Sequence, residues 1–175
     1  MQIPAAKIYF PEEDKRDISS KVEEILTTGQ LTLGKYGKQF EEEFAKYVGA
    51  RYAVAVSSGT SALEIILRTL DVQDYSVIVP TNTFFATPAA ILHAGGKVIF
   101  ADVAENLCLD PKSIERNIQE DTGGVVIVHI GGVIPPQVKQ IQEICQAHNL
   151  FLVEDAAHVH GGTLNGKMAG SFGIA

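Results

Sequence analysis

The chain has only two cysteines in 175 residues, Cys108 and Cys145, and no C-x-x-C pair. That gives no disulfide framework and suits a reducing cytosol. Clusters of Lys and Arg beyond isolated pairs are missing, and 14 basic residues face 21 acidic ones for a net charge of −7. A nucleic-acid partner is thereby disfavoured, since such proteins carry a concentrated basic patch. No apolar run approaches the roughly 18 residues of a membrane span. The N-terminus carries Pro4, Lys7 and the charged stretch Glu12 to Arg16 where a signal peptide needs an apolar core. Repeats, linkers and low-complexity stretches are absent as well. Together these absences predict a cytoplasmic protein with neither nucleic acid nor membrane as partner.

What remains is the composition of a globular domain, 46% hydrophobic and 20% charged. A domain of this size buries roughly 70% of its unfolded surface, enough for a substantial core. Ile18, Val22, Ile25 and Leu26 lie on one stripe of a predicted helix over 12–28. Residues 29–34, Gly-Gln-Leu-Thr-Leu-Gly, read as a loop. Phe40, Phe44 and Val48 mark a second helix over about 38–47, stopped by Gly49. From Tyr52 the pattern alternates, with strands predicted at 53–56, 76–79, 97–101, 125–128 and 150–153. Between them fall helices near 62–70, 87–93, 111–120 and 138–148. Short apolar strands alternating with helices define an α/β fold, a mostly parallel sheet flanked by helices on both faces.

Three segments at strand ends carry candidate chemistry. Ser57-Ser58-Gly59-Thr60-Ser61 leads into the first helix of the alternating region. Its free N–H groups, with the Thr60 and Ser61 hydroxyls, form an anion cup in which Gly59 admits a close approach. A plain Ser/Thr helix cap accounts for the same residues. The segment is neither G-x-x-x-x-G-K-[ST] nor G-x-S-x-G, which disfavours nucleoside triphosphate and an elbow serine. After the next strand come Phe84 and Phe85; one of the pair is expected to stack on a planar ring and the other to pack in the core. Asp155 ends the run Leu150-Phe151-Leu152-Val153-Glu154 and precedes Ala156-Ala157-His158. His129 closes the preceding strand and His160 lies two residues past His158. These four side chains are all metal-ligand types, but their spacing matches none of the usual templates. An anion cup, an aromatic face and a carboxylate suit a flat phosphorylated ring better, as pyridoxal 5'-phosphate requires.

Ser58-Gly59-Thr60-Ser61-Ala62-Leu63, Thr83-Phe84-Phe85-Ala86-Thr87 and Glu154-Asp155-Ala156-Ala157-His158 occur in that order. Together they resemble the DegT/DnrJ/StrS sugar aminotransferases, fold-type I pyridoxal-phosphate enzymes that act on nucleotide-linked keto-sugars. Residues 29–34, 40–44 and 170–173 are similar to the family's pattern too, so the resemblance spans the chain. It implies that Gly59 and Thr60 bind the cofactor phosphate, Phe84 stacks on the ring, Asp155 pairs with the ring nitrogen and His158 sits near the phenolic oxygen. It places His129 behind these groups and leaves His160 structural. It further implies a nucleotide-sugar substrate, an amino-acid donor, glutamate by family habit, a role in polysaccharide or glycoside biosynthesis, and a homodimer.

One departure is large. The family's Schiff-base lysine follows soon after a segment like Gly170-Ser171-Phe172-Gly173, and Lys35, Lys38 and Lys167 do not match its position. The chain reads as an N-terminal helical segment, 1–50, followed by the N-terminal part of the large cofactor-binding domain, 51–175. The remainder of that domain and the small domain are unmatched, so the 175 residues alone are expected to be inactive, with an exposed sheet edge and apolar surface. Two other functions fit the same residues. Some family members are dehydratases with His in place of the lysine, and a non-catalytic binding or regulatory protein would retain the phosphate cup.

Overall fold

The computed structural model describes residues 7–175, so Pro4, one of the residues bearing on a signal peptide, lies outside it. Two helices open the chain, α1 (Glu12–Thr28) and α2 (Lys35–Val48). The second begins one turn earlier than its apolar spacing suggests, and it stops where Gly49 turns left-handed at φ 75°. Next come α3 (Gly59–Thr69), β1 (Ser76–Pro80), α4 (Ala86–His93), β2 (Lys97–Ala101), α5 (Pro111–Asn117), β3 (Thr122–Val128), α6 (Val138–Ala147) and β4 (Phe151–Asp155). A two-residue hairpin, β5 (Thr163–Leu164) and β6 (Lys167–Met168), follows. Asn165 and Gly166 both take positive φ at its tip, so Lys167 stands in a strand and not in the turn where the sequence suggested it.

All four long strands are parallel, in the order β2-β1-β3-β4. Their apolar residues divide between two layers because successive side chains of a strand point to opposite faces. Val77, Val79, Val126 and Val153 pack with Leu63, Leu67, Ala90 and Ile91 of α3 and α4. Ile78, Val125, Ile127 and Leu152 pack with Ile114, Ile141 and Ile144 of α5 and α6. Full burial of each such side chain stabilises the fold by roughly 1.5–3 kcal/mol relative to exposure. The α/β sheet covered on both faces is therefore as the alternating pattern predicts.

One predicted strand does not form. Residues 53–56 join no ladder, and Val54 is 77% exposed. The apolar segment pairs with neither edge strand, β2 or β4, of the described sheet. Its Ala55 N–H instead donates to Glu41 Oε1 of α2 at 2.8 Å. The outer edge of β4 is less open than expected: Ile174 N–H donates to the Leu152 carbonyl at 2.8 Å, and Glu154 N–H donates to that of Ala175 at 3.0 Å. Apolar surface is nonetheless plentiful, with Leu33 99% exposed and Ile18, Val22 and Leu26 of α1 also uncovered. No helix of the described residues is long and apolar enough to cross a membrane.

Candidate functional site

The chain passes from β2 on one side of β1 to β3 on the other. A reversal of this kind opens a crevice at the carboxyl ends of the strands, the usual ligand position in parallel sheets. A cavity of about 220 Å³ lies there, lined by Gly59, Thr60, Phe84, His129, Asp155 and His158, with Leu63 and Val128 among its apolar walls. Segments that are far apart in the chain thus meet at one place. A second cavity of about 240 Å³ lies between α1 and the start of α2. Its charged groups are spent on one another, Lys35 paired with Glu24 and Tyr36 donating to Glu24 Oε2 at 2.7 Å.

At the start of α3 the helix cap expected from the sequence is present. Ser58 caps α3, its Oγ accepting from Ser61 N at 3.1 Å. The Gly59 and Thr60 N–H groups fall in the first turn, where a helix supplies no acceptor of its own. A Cβ built on Gly59 meets nothing within 4 Å, so it would project into open space. An anion with several oxygens fits this arrangement.

Phe84 and Phe85 are 73% and 77% exposed, so neither packs into the core. The pair thus departs from the pattern expected of the sequence, in which one of them packs in the core. They sit at the turn into α4, whose inward positions are filled by Thr87, Ala90 and Ile91, and only Phe84 reaches the cavity wall.

Asp155 is the last residue of β4 and half-buried. Its Oδ2 accepts from Thr87 Oγ1 at 2.7 Å and its Oδ1 from Ala157 N at 3.3 Å. A carboxylate offers about four acceptor positions, so capacity remains for a donor in the cavity. His158 is exposed, and its Nδ1 accepts from Gly131 N at 3.2 Å. That bond places the His158 proton on Nε2 and makes the imidazole a neutral donor there. The Gly131 N–H is aimed by a one-turn 3-10 helix (Ile130–Gly132) in which Gly131 takes φ 60°, a conformation that disfavours side chains.

His129 is fully buried, and its Nε2 lies 2.8 Å from Glu154 Oε2. Glu154 also accepts from Gly170 N at 2.8 Å, Phe172 N at 2.5 Å and Gly173 N at 2.6 Å. Three backbone donors and a carboxyl held below its ordinary value keep Glu154 ionised, so His129 donates from Nε2. Burial pushes the Glu154 carboxyl up, but the hydrogen bonds from His129, Gly173 and Gly170 bring it out below its ordinary value. His129 Nδ1 has no hydrogen-bond partner, and no other buried side-chain polar atom of the described residues shares that condition. His160 is exposed and stands outside the cavity lining. No group of three or more His, Cys, Asp or Glu side chains among the described residues is placed to hold a metal ion. No lysine lines the cavity.

The model of the DegT/DnrJ/EryC1/StrS aminotransferase family matches residues 12–175. The chain belongs to that family. It is 41% identical over 157 residues to the spore coat polysaccharide biosynthesis protein SpsC of Bacillus subtilis, covering 89% of this chain and 40% of that protein. It is 34% identical over 163 residues to dTDP-3-amino-3,6-dideoxy-alpha-D-galactopyranose transaminase of Aneurinibacillus thermoaerophilus, covering 92% and 45%. Among solved structures it resembles the E. coli GDP-4-keto-6-deoxy-D-mannose-3-dehydratase with bound hydrated PLP, at a TM-score of 0.88 and 29% identity. That match covers 99% of this chain and 45% of the solved one. The chain therefore spans less than half the length of these relatives.

Reading the family's motifs from sequence passes over three residues that shape the cavity. Thr87 ends the Thr83-Phe84-Phe85-Ala86-Thr87 motif, but its bond to Asp155 spans 68 positions and has no local signature. Glu154 sits in a buried apolar run, and a lone carboxylate in such a run is itself a signal of pairing. Gly131 shows only as one of two adjacent glycines.

Proposed function

We propose that this chain supplies the cofactor-binding part of a pyridoxal-phosphate-dependent enzyme that transfers an amino group, drawn from glutamate, to a nucleotide-linked keto-sugar. The observation that carries the reading is the convergence of Gly59, Thr60, Phe84, Asp155 and His158 on one cavity. The donor set fits the cofactor: an anion cup, an aromatic face, an acceptor carboxylate and a neutral imidazole donor. Pyridoxal phosphate bound there would supply the electron sink that transamination needs. Gly59 and Thr60 would hold the phosphate through backbone N–H groups, and Phe84 would cover one ring face. Asp155 would accept from the protonated ring nitrogen and keep its charge in place, while His158 Nε2–H would donate to an oxygen on the ring.

The 175 residues bring no lysine to the cavity, so by themselves they would bind the cofactor without covalent attachment and would not transaminate. We take residues 1–50 as an N-terminal helical segment and 51–175 as part of the large cofactor-binding domain. We place the complete enzyme in the cytoplasm as a homodimer; the two unpaired buried cysteines and the broad apolar surface accord with those assignments. A second reading, a sugar dehydratase on the same cavity, is favoured by the likeness to the dehydratase structure.

Titrating the chain with pyridoxal phosphate, followed by absorbance, tests the cofactor reading. Saturable binding weakened about 2- to 10-fold by Phe84→Ala, the worth of one aromatic contact, supports it. No saturable binding refutes it. For the full-length enzyme, a nucleotide-linked keto-sugar and glutamate should yield an amino sugar with equimolar 2-oxoglutarate. A nitrogen-free deoxygenated sugar as the product would establish the dehydratase instead.

A further inference from the structure

Beyond the residues that would touch the cofactor, the start of α4 holds a buried hydroxyl whose only strong acceptor is the cavity's carboxylate. Thr87 is 1% exposed, and its Oγ1 lies 2.7 Å from Asp155 Oδ2. An ionised carboxylate has no proton to give, so Thr87 donates. Its one proton is then spent. The Thr83 hydroxyl, 2.8 Å from Thr87 Oγ1, must be the donor in that second contact. Thr83 has one alternative acceptor, the Phe84 carbonyl at 3.4 Å, which the shorter bond outcompetes. The result is a directed chain, Thr83 to Thr87 to Asp155, in which each bond polarises the next.

We propose that Thr87 is a positioning residue that fixes the plane of the Asp155 carboxylate, so that its remaining lone pairs present a preset acceptor for a ring N–H. The inference rests on the cofactor reading above. Its physical content is a restraint from two sides. Ala157 N grips Oδ1 from the turn after β4, and Thr87 grips Oδ2 from α4. Without the hydroxyl, Oδ2 loses its partner, and the carboxylate rotates about its broad terminal torsion. The acceptor must then be ordered at the moment of binding, which weakens the complex.

Two ligands distinguish positioning from a merely structural role. One is pyridoxal phosphate. The other is its deaza analogue, in which a C–H replaces the ring nitrogen while ring, aldehyde and phosphate stay. For Thr87→Val we expect affinity for pyridoxal phosphate to fall about tenfold, the worth of one charge-assisted hydrogen bond. Affinity for the deaza analogue, which offers Asp155 no N–H, should stay within about twofold, and Thr87→Ser should restore the loss. Should Thr87→Val not fold, Thr83→Val at the half-buried start of the chain of hydroxyls serves instead. It should weaken pyridoxal phosphate about twofold to threefold and leave the analogue unchanged. Equal losses for both ligands, or no loss for pyridoxal phosphate, would overturn the proposal while leaving the cofactor reading intact. A wild-type chain that binds neither ligand overturns both together.

Discussion

Replacing Glu154 by glutamine changes one oxygen to an amide and should be disproportionately destabilising. The carboxylate receives four donors: Phe172 N and Gly173 N on Oε1, His129 Nε2 and Gly170 N on Oε2. An amide turned so that its NH2 faces the first pair confronts two backbone donors that cannot reverse. Turned the other way it meets His129, which can move its proton to Nδ1 and accept. Gly170 N–H is then stranded. The less costly orientation strands Gly170 N–H, about 1–3 kcal/mol, turns the unpartnered His129 Nδ1 from an acceptor into a second unpaired donor, and removes the charge assistance from the rest, so about 2–4 kcal/mol in total. At about 2–4 °C per kcal/mol for a domain of this size, Tm should fall by about 5–15 °C. Because the folded carboxyl lies below its ordinary value, its stabilisation is complete above about pH 4.3 and is lost as the pH falls through the folded value. The gap between wild type and Glu154→Gln should therefore narrow in acid. Thermal unfolding at neutral and acid pH measures both, and imidazole 15N shifts should show the His129 proton moving to Nδ1. A variant melting within about 2 °C of wild type at neutral pH would refute the donor count.

Other perturbations separate binding from folding. Gly59→Val should melt within about 2 °C of wild type, because its Cβ meets nothing within 4 Å, yet weaken pyridoxal phosphate at least about tenfold; unchanged affinity would remove the cup from the site. Burial pushes the Cys145 thiol up to about 11 and raises that of Cys108 as well. Both should resist iodoacetamide near neutral pH in the folded chain and react after denaturation, as mass spectrometry would show. The exposed apolar residues Tyr52, Val54 and Leu33 should make the isolated 175 residues self-associate, and Val54→Lys should lessen this. A monodisperse monomer in sedimentation velocity would contradict that expectation.

Much of the fold is legible along the chain because its long elements carry strong periodicity. The stripe of Ile18, Val22, Ile25 and Leu26 yields α1 at its observed bounds, and the run 97–101 yields β2. The run 53–56 is as apolar as the others but remains unpaired, since a strand needs a neighbour and composition does not name one. Phe84 and Phe85 fail for a related reason. Apolarity predicts burial in general, but α4 already fills its inward positions with smaller residues.

For the site, the motifs that carry the family resemblance were sufficient to nominate Gly59, Thr60, Phe84, Asp155 and His158, which line one cavity in the structure. By itself, then, the sequence determined the α/β class, the placement of most elements and the candidate cofactor residues. These are properties of local pattern and local chemistry. Only the tertiary structure decided the order β2-β1-β3-β4, the grip of Thr87 on Asp155 and the four donors gathered on Glu154. Each of these depends on which backbone edges and helix faces meet after folding, a matter of packing between distant segments that no local periodicity records.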